Sequence, residues 1–161
     1  MQKSRMIVIG IGNPYRSDDA AGLLVARRLK EQFISACEVH EQAGEGAALM
    51  ELWKGAQHVV VIDAVQSDAA PGMIHRFHAN SHPLSAAIAR DSTHAFGLIE
   101  AIELSRALNQ LPSNLVIYGI EGENFDAGTG LSQKVLDGVN DLVRELQQEI
   151  DSSLPATADS Q

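Results

Sequence analysis

The sequence contains one cysteine, Cys37, and a single cysteine cannot form a disulfide within the chain. This cysteine usage is typical of the reducing cytosol, so we predict a cytoplasmic protein. A chain of 161 residues is long enough to bury a sizeable core without covalent staples. We expect Cys37 to be a buried thiol rather than a nucleophile.

Long hydrophobic runs and basic residues are also scarce. No apolar stretch approaches the roughly 20 residues of a membrane span. The apolar stretch after Lys3 and Arg5 meets Gly10 too early for the hydrophobic region of a signal peptide. Lys and Arg total 12 against 21 Asp and Glu, which gives a formal net charge of −9. Because such a surface repels phosphate backbones and anionic lipids, we expect neither nucleic acid nor membrane as a partner.

Several well-known motifs are missing too. The sequence has no H-E-x-x-H zinc motif, no C-x-x-C pair and no G-x-S-x-G nucleophile elbow, which disfavours a covalent protease. A glycine loop follows the first apolar run, but Tyr15 stands where a dinucleotide fingerprint requires its third glycine. Residue type alone favours a simpler role for this loop. Gly10 and Gly12 then allow a tight turn, while Asp18 and Asp19 offset the helix dipole.

What the sequence does contain is an alternation of strand-like and helix-like segments. Strands are predicted at 6–10, around 38–40, and at 58–62, 73–77 and 115–120; helices are predicted after an N-cap at Ser17, at 47–54, from Ser92 or Thr93 to about 108, and through the apolar period from Val135 to Leu146. This order predicts one three-layer α/β domain, with a twisted, mostly parallel sheet of about five strands and helices on both faces. We assign residues 1–150 to the domain and 151–161 to a disordered tail.

Acidic side chains follow the predicted strands, at the edge where open parallel sheets bind ligands. Asp19, Glu41 and Asp63 come after the first, second and third strands, and His94 lies at the start of the helix after the fourth. Asp63 follows four aliphatic residues, where a carboxylate without a partner is costly. Its alternative role is to accept backbone hydrogen bonds from the turn that follows, including that of Val65.

The position of His94 at a predicted helix N-terminus disfavours the imidazolium and keeps a neutral nitrogen available for a metal. His78 and His82 are rival candidates, but no carboxylate stands near them at an informative spacing, so we predict that both are surface residues. Together with Asp19 and Asp63, His94 would form a plausible site for a first-row divalent ion.

Five segments along the chain carry a family pattern when they are taken in order. They are Gly10-Ile11-Gly12-Asn13 with Ser17-Asp18-Asp19-Ala20-Ala21-Gly22, then Val61-Ile62-Asp63-Ala64-Val65, Ser92-Thr93-His94-Ala95-Phe96-Gly97-Leu98, Gly119-Ile120-Glu121 and Gly128-Thr129-Gly130-Leu131-Ser132. In these segments, over about residues 6–146, the chain resembles the hydrogenase maturation endopeptidases, which process large subunits of nickel–iron hydrogenases.

The resemblance implies that Asp19, Asp63 and His94 are both the metal ligands and the catalytic residues. The first acid of the family is commonly glutamate, so Asp19 is a shorter variant. Many members carry Asp-Gly-Gly-Thr after the second strand, where this chain has Glu41-Gln42-Ala43-Gly44-Glu45-Gly46. That segment is expected to help select the hydrogenase. Glu41 itself is either a functional acid or a solvated charge at the strand end.

The mechanism that the resemblance implies begins with a large-subunit precursor that carries nickel on its own cysteines. The three ligands engage this nickel, which the precursor supplies and the enzyme does not retain, and a C-terminal extension is then removed. Glu41 or Asp18 would serve as general base. Two other hypotheses stay open: an autonomous zinc hydrolase that uses the same residues, and a non-catalytic adaptor that docks on a metalloprotein.

Overall fold

The computed structural model describes residues 6–32, 37–81 and 95–153. The elements in chain order are β1 (Met6–Ile11), a 3₁₀ turn (Ser17–Ala20), α1 (Ala21–Glu31), β2 (Cys37–Gln42), α2 (Gly46–Trp53), β3 (His58–Val65), β4 (Ile74–His78), α3 (Ala95–Ala107), β5 (Asn114–Glu121) and α4 (Gln133–Ser153). Each predicted strand and helix is present, with shifts at the ends, while the predicted cap of α3, Ser92 or Thr93, lies outside the described segments. Residues 151–153, expected in the tail, belong to α4, and residues 154–161 lie outside the described segments.

The strands form one five-stranded sheet in the order β2-β1-β3-β5-β4. Four of them are parallel, while β4 pairs antiparallel with β5 at one edge. Helices α1 and α4 pack on one face, and α2 and α3 pack on the other. The predicted three-layer α/β domain is therefore confirmed. Within the described segments, none of the helices has the length and apolar character needed to cross a bilayer.

The central strands supply both cores, since successive side chains of a strand point to opposite faces. Ile7, Ile9 and Val61 are buried toward α2 and α3, and Val8 and Ile62 are buried toward α1 and α4. Because helices cover both faces, these strands are continuously apolar rather than alternating. The sheet thus provides a well-packed support for the loops that follow the carboxyl ends of its strands.

Close backbone packing explains the glycines around β1. A Cβ on Gly10 would lie 2.2 Å from the carbonyl oxygen of Gly22 in α1, and a Cβ on Gly22 would lie 2.3 Å from the carbonyl oxygen of Ile62. A Cβ on Gly12 would lie 2.3 Å from the carbonyl oxygen of Asp19. Gly10 lies inside β1, and neither Gly10 nor Gly12 has a positive φ, so neither residue supplies a turn conformation that only glycine can adopt. Their small size lets α1 and the 3₁₀ turn approach the sheet.

The entry into α1 also differs from the prediction. Ser17 does not cap the helix, because its hydroxyl donates to the carbonyl oxygen of Asp126 at 2.8 Å and its φ is 51°. The 3₁₀ turn intervenes, and α1 begins only at Ala21. Sequence proximity suggested a local role for this serine, whereas its actual partner is more than 100 residues away.

Candidate active site

A crevice between β1 and β3 is the natural ligand site of this topology. The connection from β1 to β2 passes through α1 on one face, and the connection from β2 to β3 passes through α2 on the other. The chain therefore changes face between β1 and β3, and ligands of open α/β sheets bind at such switch points. The 3₁₀ turn that carries Asp19 packs against β3, near whose end Asp63 lies. The structure thus brings these two predicted ligands to the same crevice.

Asp63 is held by the strand itself. We expected the strand to end at Ile62, but β3 continues to Val65 and pairs Asp63 with Gly119. The residue is 2% exposed, and its Oδ1 accepts a hydrogen bond from the N–H of Ala64 at 2.8 Å. A side chain on a buried strand has little freedom to move, which suits a metal ligand.

Asp19 is held by the loop before it. Its side chain is fully buried, and its Oδ2 accepts a hydrogen bond from the N–H of Asn13 at 3.0 Å. The Asn13 side chain in turn accepts from the N–H of Tyr15 at 2.9 Å, which forms an Asx turn. Asn13 therefore folds the loop so that its own N–H meets Asp19. The asparagine of the G-x-G-N segment is visible in the sequence, but the sequence analysis assigned no function to Asn13.

Asp18 has partners that the sequence did not reveal. It is fully buried, and its carboxylate accepts four hydrogen bonds: from the N–H of Glu123 at 2.9 Å, of Asn124 at 2.8 Å and of Ser132 at 2.7 Å, and from the Ser132 hydroxyl at 2.8 Å. Burial acts to raise the pKa of Asp18, but these hydrogen bonds hold the pKa below its ordinary value. The expected role as helix-dipole partner therefore does not account for Asp18.

Glu41 belongs to an ion-pair group beside α1. Its two carboxylate oxygens accept from Arg27 Nε at 2.8 Å and from Lys30 Nζ at 3.0 Å. Burial acts to raise the pKa of Glu41, and the contacts with Lys30 and Arg27 bring it below the ordinary value. A carboxylate with a lowered pKa is a weak base. The contacts of Glu41 therefore favour a role as a charge at the strand end over a role as general base.

A fourth buried carboxylate, Glu121, ends β5. It accepts hydrogen bonds from the N–H of Ser67 at 2.6 Å, from the Ser67 hydroxyl and from Nε2 of His75 at 3.1 Å. These contacts tie the segment after β3 to the edge strand β4.

The third predicted ligand, His94, lies outside the described residues, as does His82. Helix α3 begins at the residue after His94, and its Gly97 packs on the loop after β2, where a Cβ would lie 1.9 Å from the carbonyl oxygen of Gly44. In the segments that the structure covers, no three His, Cys, Asp or Glu side chains form a group able to hold a metal. The crevice therefore presents two of the three predicted ligands, both oxygen donors.

Two other reactive side chains lie away from the crevice: His78 is exposed as predicted, whereas Cys37, predicted to be buried, is only partly buried. His78 belongs to the edge strand β4. Burial raises the pKa of the Cys37 thiol, so little thiolate forms at neutral pH. Neither residue competes with the crevice as a site of chemistry.

Comparison with known proteins identifies the family of this chain. Residues 23–149, well over half of the sequence, match the family profile of the hydrogenase maturation protease HycI. The chain belongs to the hydrogenase maturation protease family. It is accordingly a hydrolase of the endopeptidase class, and the resemblance predicted from five short segments is confirmed.

Individual members of the family are distant in sequence and close in fold. The hydrogenase 2 maturation protease of Escherichia coli K12 is 25% identical over 134 residues, which is 81% of each chain. The hydrogenase expression/formation protein HupD of Thiocapsa roseopersicina is 26% identical over 123 residues, and the match spans 75% of this chain but only 56% of that protein.

Solved structures of the family give the same picture. The maturating endopeptidase HybD from E. coli has the same fold, with a TM-score of 0.81 at 22% identity over 92% of this chain and 93% of that one. The maturation protease HycI from Thermococcus kodakarensis KOD1 superposes with a TM-score of 0.68 at 28% identity, covering 94% of both chains.

Proposed function

We propose that this endopeptidase removes a C-terminal extension from the nickel-loaded precursor of a nickel–iron hydrogenase large subunit. The observation that carries the proposal is the pair of buried carboxylates, Asp19 and Asp63, at the β1/β3 crevice of a chain in the hydrogenase maturation protease family. Several relatives are named for hydrogenase maturation, which supports this class of substrate. We further propose that the protein acts in the cytoplasm, in keeping with its single cysteine.

In this proposal the nickel belongs to the substrate. Asp19 and Asp63 contribute carboxylate oxygens, and His94 contributes an imidazole nitrogen; such O and N donors suit first-row divalent ions. Burial strengthens the attraction between these carboxylates and a cation, because the crevice has a lower effective dielectric than water. A precursor without nickel would lack this attraction, so recognition would report whether metal insertion is complete.

The task of the remaining carboxylates follows from their contacts. Glu41 is engaged by two cations and Asp18 by four donors, so we assign neither of them the proton transfer. Water activation or carbonyl polarisation would then depend on the substrate's nickel acting as a Lewis acid beside Asp19, Asp63 and His94.

The test is intact-mass analysis of hydrogenase large-subunit precursors, loaded with nickel or free of it, after incubation with the protein. We expect the C-terminal peptide to be lost from the nickel-loaded form alone, and His94→Ala to abolish the loss. Precursors of several hydrogenase types are used, because the segment from Glu41 to Gly46 departs from the common family pattern. Binding without cleavage of any precursor would support the adaptor hypothesis instead.

A further inference from the structure

The loop between β5 and α4, residues 122–132, is bonded to the segment around the 3₁₀ turn along much of its length. The N–H of Ser17 donates to the carbonyl oxygen of Gly128 at 3.0 Å, and the N–H of Gly128 donates to the carbonyl oxygen of Tyr15 at 2.9 Å. The N–H of Asp18 donates to the carbonyl oxygen of Asn124 at 2.9 Å. These contacts join two stretches of chain that are more than 100 residues apart.

The Asp18 carboxylate is the centre of this junction. Its Oδ2 accepts from the N–H groups of Glu123 and Asn124 and from the Ser132 hydroxyl, and its Oδ1 accepts from the N–H of Ser132. A fully buried carboxylate is costly unless it is hydrogen-bonded in this way. One side chain therefore fixes both ends of the loop against the turn.

The turn has a conformation that needs outside support. Ser17 has a φ of 51°, in the left-handed region that a non-glycine residue occupies only where its surroundings hold it. Its hydroxyl is bonded to the same loop, through the carbonyl oxygen of Asp126. The backbone from which the next residues project is thus set by contacts with residues 122–132.

Asp19 is the residue that this arrangement affects. A 3₁₀ helix has about three residues per turn, so consecutive side chains point about 120° apart. Asp18 accordingly faces the loop, while Asp19 faces Asn13. Holding Asp18 on one side of the turn fixes the direction of Asp19 on the other.

We propose that Asp18 is a positioning residue for Asp19, and that residues 122–132 are the support through which it acts. The task that Asp19 performs rests on the proposed function, but the coupling between the two aspartates is a property of the fold. It can therefore be measured without a substrate.

The first experiment is hydrogen exchange in Asp18→Asn. Asparagine has the same shape as aspartate, but its amide nitrogen cannot accept a hydrogen bond. Because both carboxylate oxygens of Asp18 accept hydrogen bonds, either orientation of the amide places its NH₂ group against a hydrogen-bond donor. We expect the Asn13 amide, which is bonded to Asp19, to exchange at least tenfold faster. The Ala64 amide, bonded to Asp63, should keep its rate and so exclude global destabilisation. An unchanged Asn13 rate beside faster exchange at Ser132 would overturn the inference.

A milder variant covers the case in which Asp18→Asn does not fold. Ser132→Ala removes one hydroxyl donor and leaves the Asp18 carboxylate in place, so a few-fold acceleration at Asn13 is expected. Ser132→Thr restores a hydroxyl and should return the rate to that of the wild type. Equal exchange at Asn13 in all three proteins would contradict the proposed coupling.

The second experiment uses the nickel-loaded precursor. Asp18→Asn should lower kcat at least tenfold, whereas Asp137→Asn, at an exposed aspartate of α4 outside this loop, should process at the wild-type rate. Faster exchange at Asn13 with an unchanged kcat would refute the positioning role. If the wild-type protein cleaves no precursor, the proposed function fails, while the exchange result still decides the coupling.

Discussion

Asp19 and Asp63 lie on two elements that pack against each other, but different contacts hold the two side chains. Asp63 is part of a buried strand, with its Oδ1 on the N–H of Ala64. Asp19 sits in a short turn that depends on Asn13 and on a distant loop. At the scale of single residues, the two predicted ligands should therefore respond differently to substitution.

Asp63→Asn separates charge from packing. The amide oxygen can keep the hydrogen bond from Ala64, so we expect the free energy of unfolding to change by no more than about 1 kcal/mol. The loss of negative charge should nevertheless abolish processing. Urea unfolding and precursor mass measure the two effects. A variant that processes nickel-loaded precursor at the wild-type rate would remove Asp63 from the site.

At the scale of elements, Gly22 is one of the glycines on which the packing of α1 against the sheet depends. A methyl group at Gly22 would meet the carbonyl oxygens of Ile62 and Ile11 at 2.3 and 2.5 Å, and backbone cannot yield as a side chain can. We expect Gly22→Ala to destabilise the protein by about 3 kcal/mol, at the upper end for overpacking. Chemical unfolding measures this free energy.

Gly55→Ala is the control for that prediction. Gly55 has a φ of 78°, but a methyl group there has no atom within 4 Å, so only the backbone cost of about 1 kcal/mol is expected. An equal loss of stability in the two variants would show that crowding against the strands is not what makes Gly22 necessary.

The ion pairs of Glu41 with Arg27 and Lys30, between β2 and α1, should make the stability of the protein depend on pH. The pKa of Glu41 is lowered from its ordinary 4.5, so its contribution is fully present above that pH and is lost as the pH falls through the lowered pKa. Glu41→Gln should cost about 0.5 kcal/mol of unfolding free energy at pH 7, and this difference should shrink in acid.

Unfolding curves of Glu41→Gln and the wild type between pH 3 and about 7 test this, in the range where the carboxylate titrates. In a background that carries Arg27→Met and Lys30→Met, the pH-dependent difference should disappear. Processing by Glu41→Gln should continue, and its loss would return Glu41 to the catalytic candidates.

The order of strands and helices could be predicted because apolar runs and helical periods are local signals. The close backbone contacts at Gly10, Gly12 and Gly22 could not be predicted, since a glycine in the sequence is equally consistent with a turn. The partners of Asp18 could not be predicted for a further reason. All four donors lie more than 100 residues along the chain, and three of them are backbone N–H groups, which every residue except proline carries. Asp63 could be selected as a candidate ligand because a carboxylate directly after four aliphatic residues is unusual, whereas Asp19 was selected through the family resemblance.

At the scale of the whole molecule, the source of the nickel determines how much metal the isolated protein should contain. If nickel arrives with the precursor, the isolated protein should hold metal weakly. Elemental analysis after dialysis should then find far less than one metal ion per chain. One tightly held zinc ion would instead favour the autonomous hydrolase. The control is the double variant Asp19→Ala with Asp63→Ala, whose metal content sets the background.

The bonds from Asp18 reach 105 and 114 residues along the chain, and β5 lies between β3 and β4 in the sheet. The turn that bears Asp19 is therefore complete only when the chain has been made through Ser132. If Asp18 positions Asp19 as proposed, a nascent chain that ends before Ser132 contains both aspartates but lacks the support of the turn. We therefore expect processing activity only in chains that extend through Ser132.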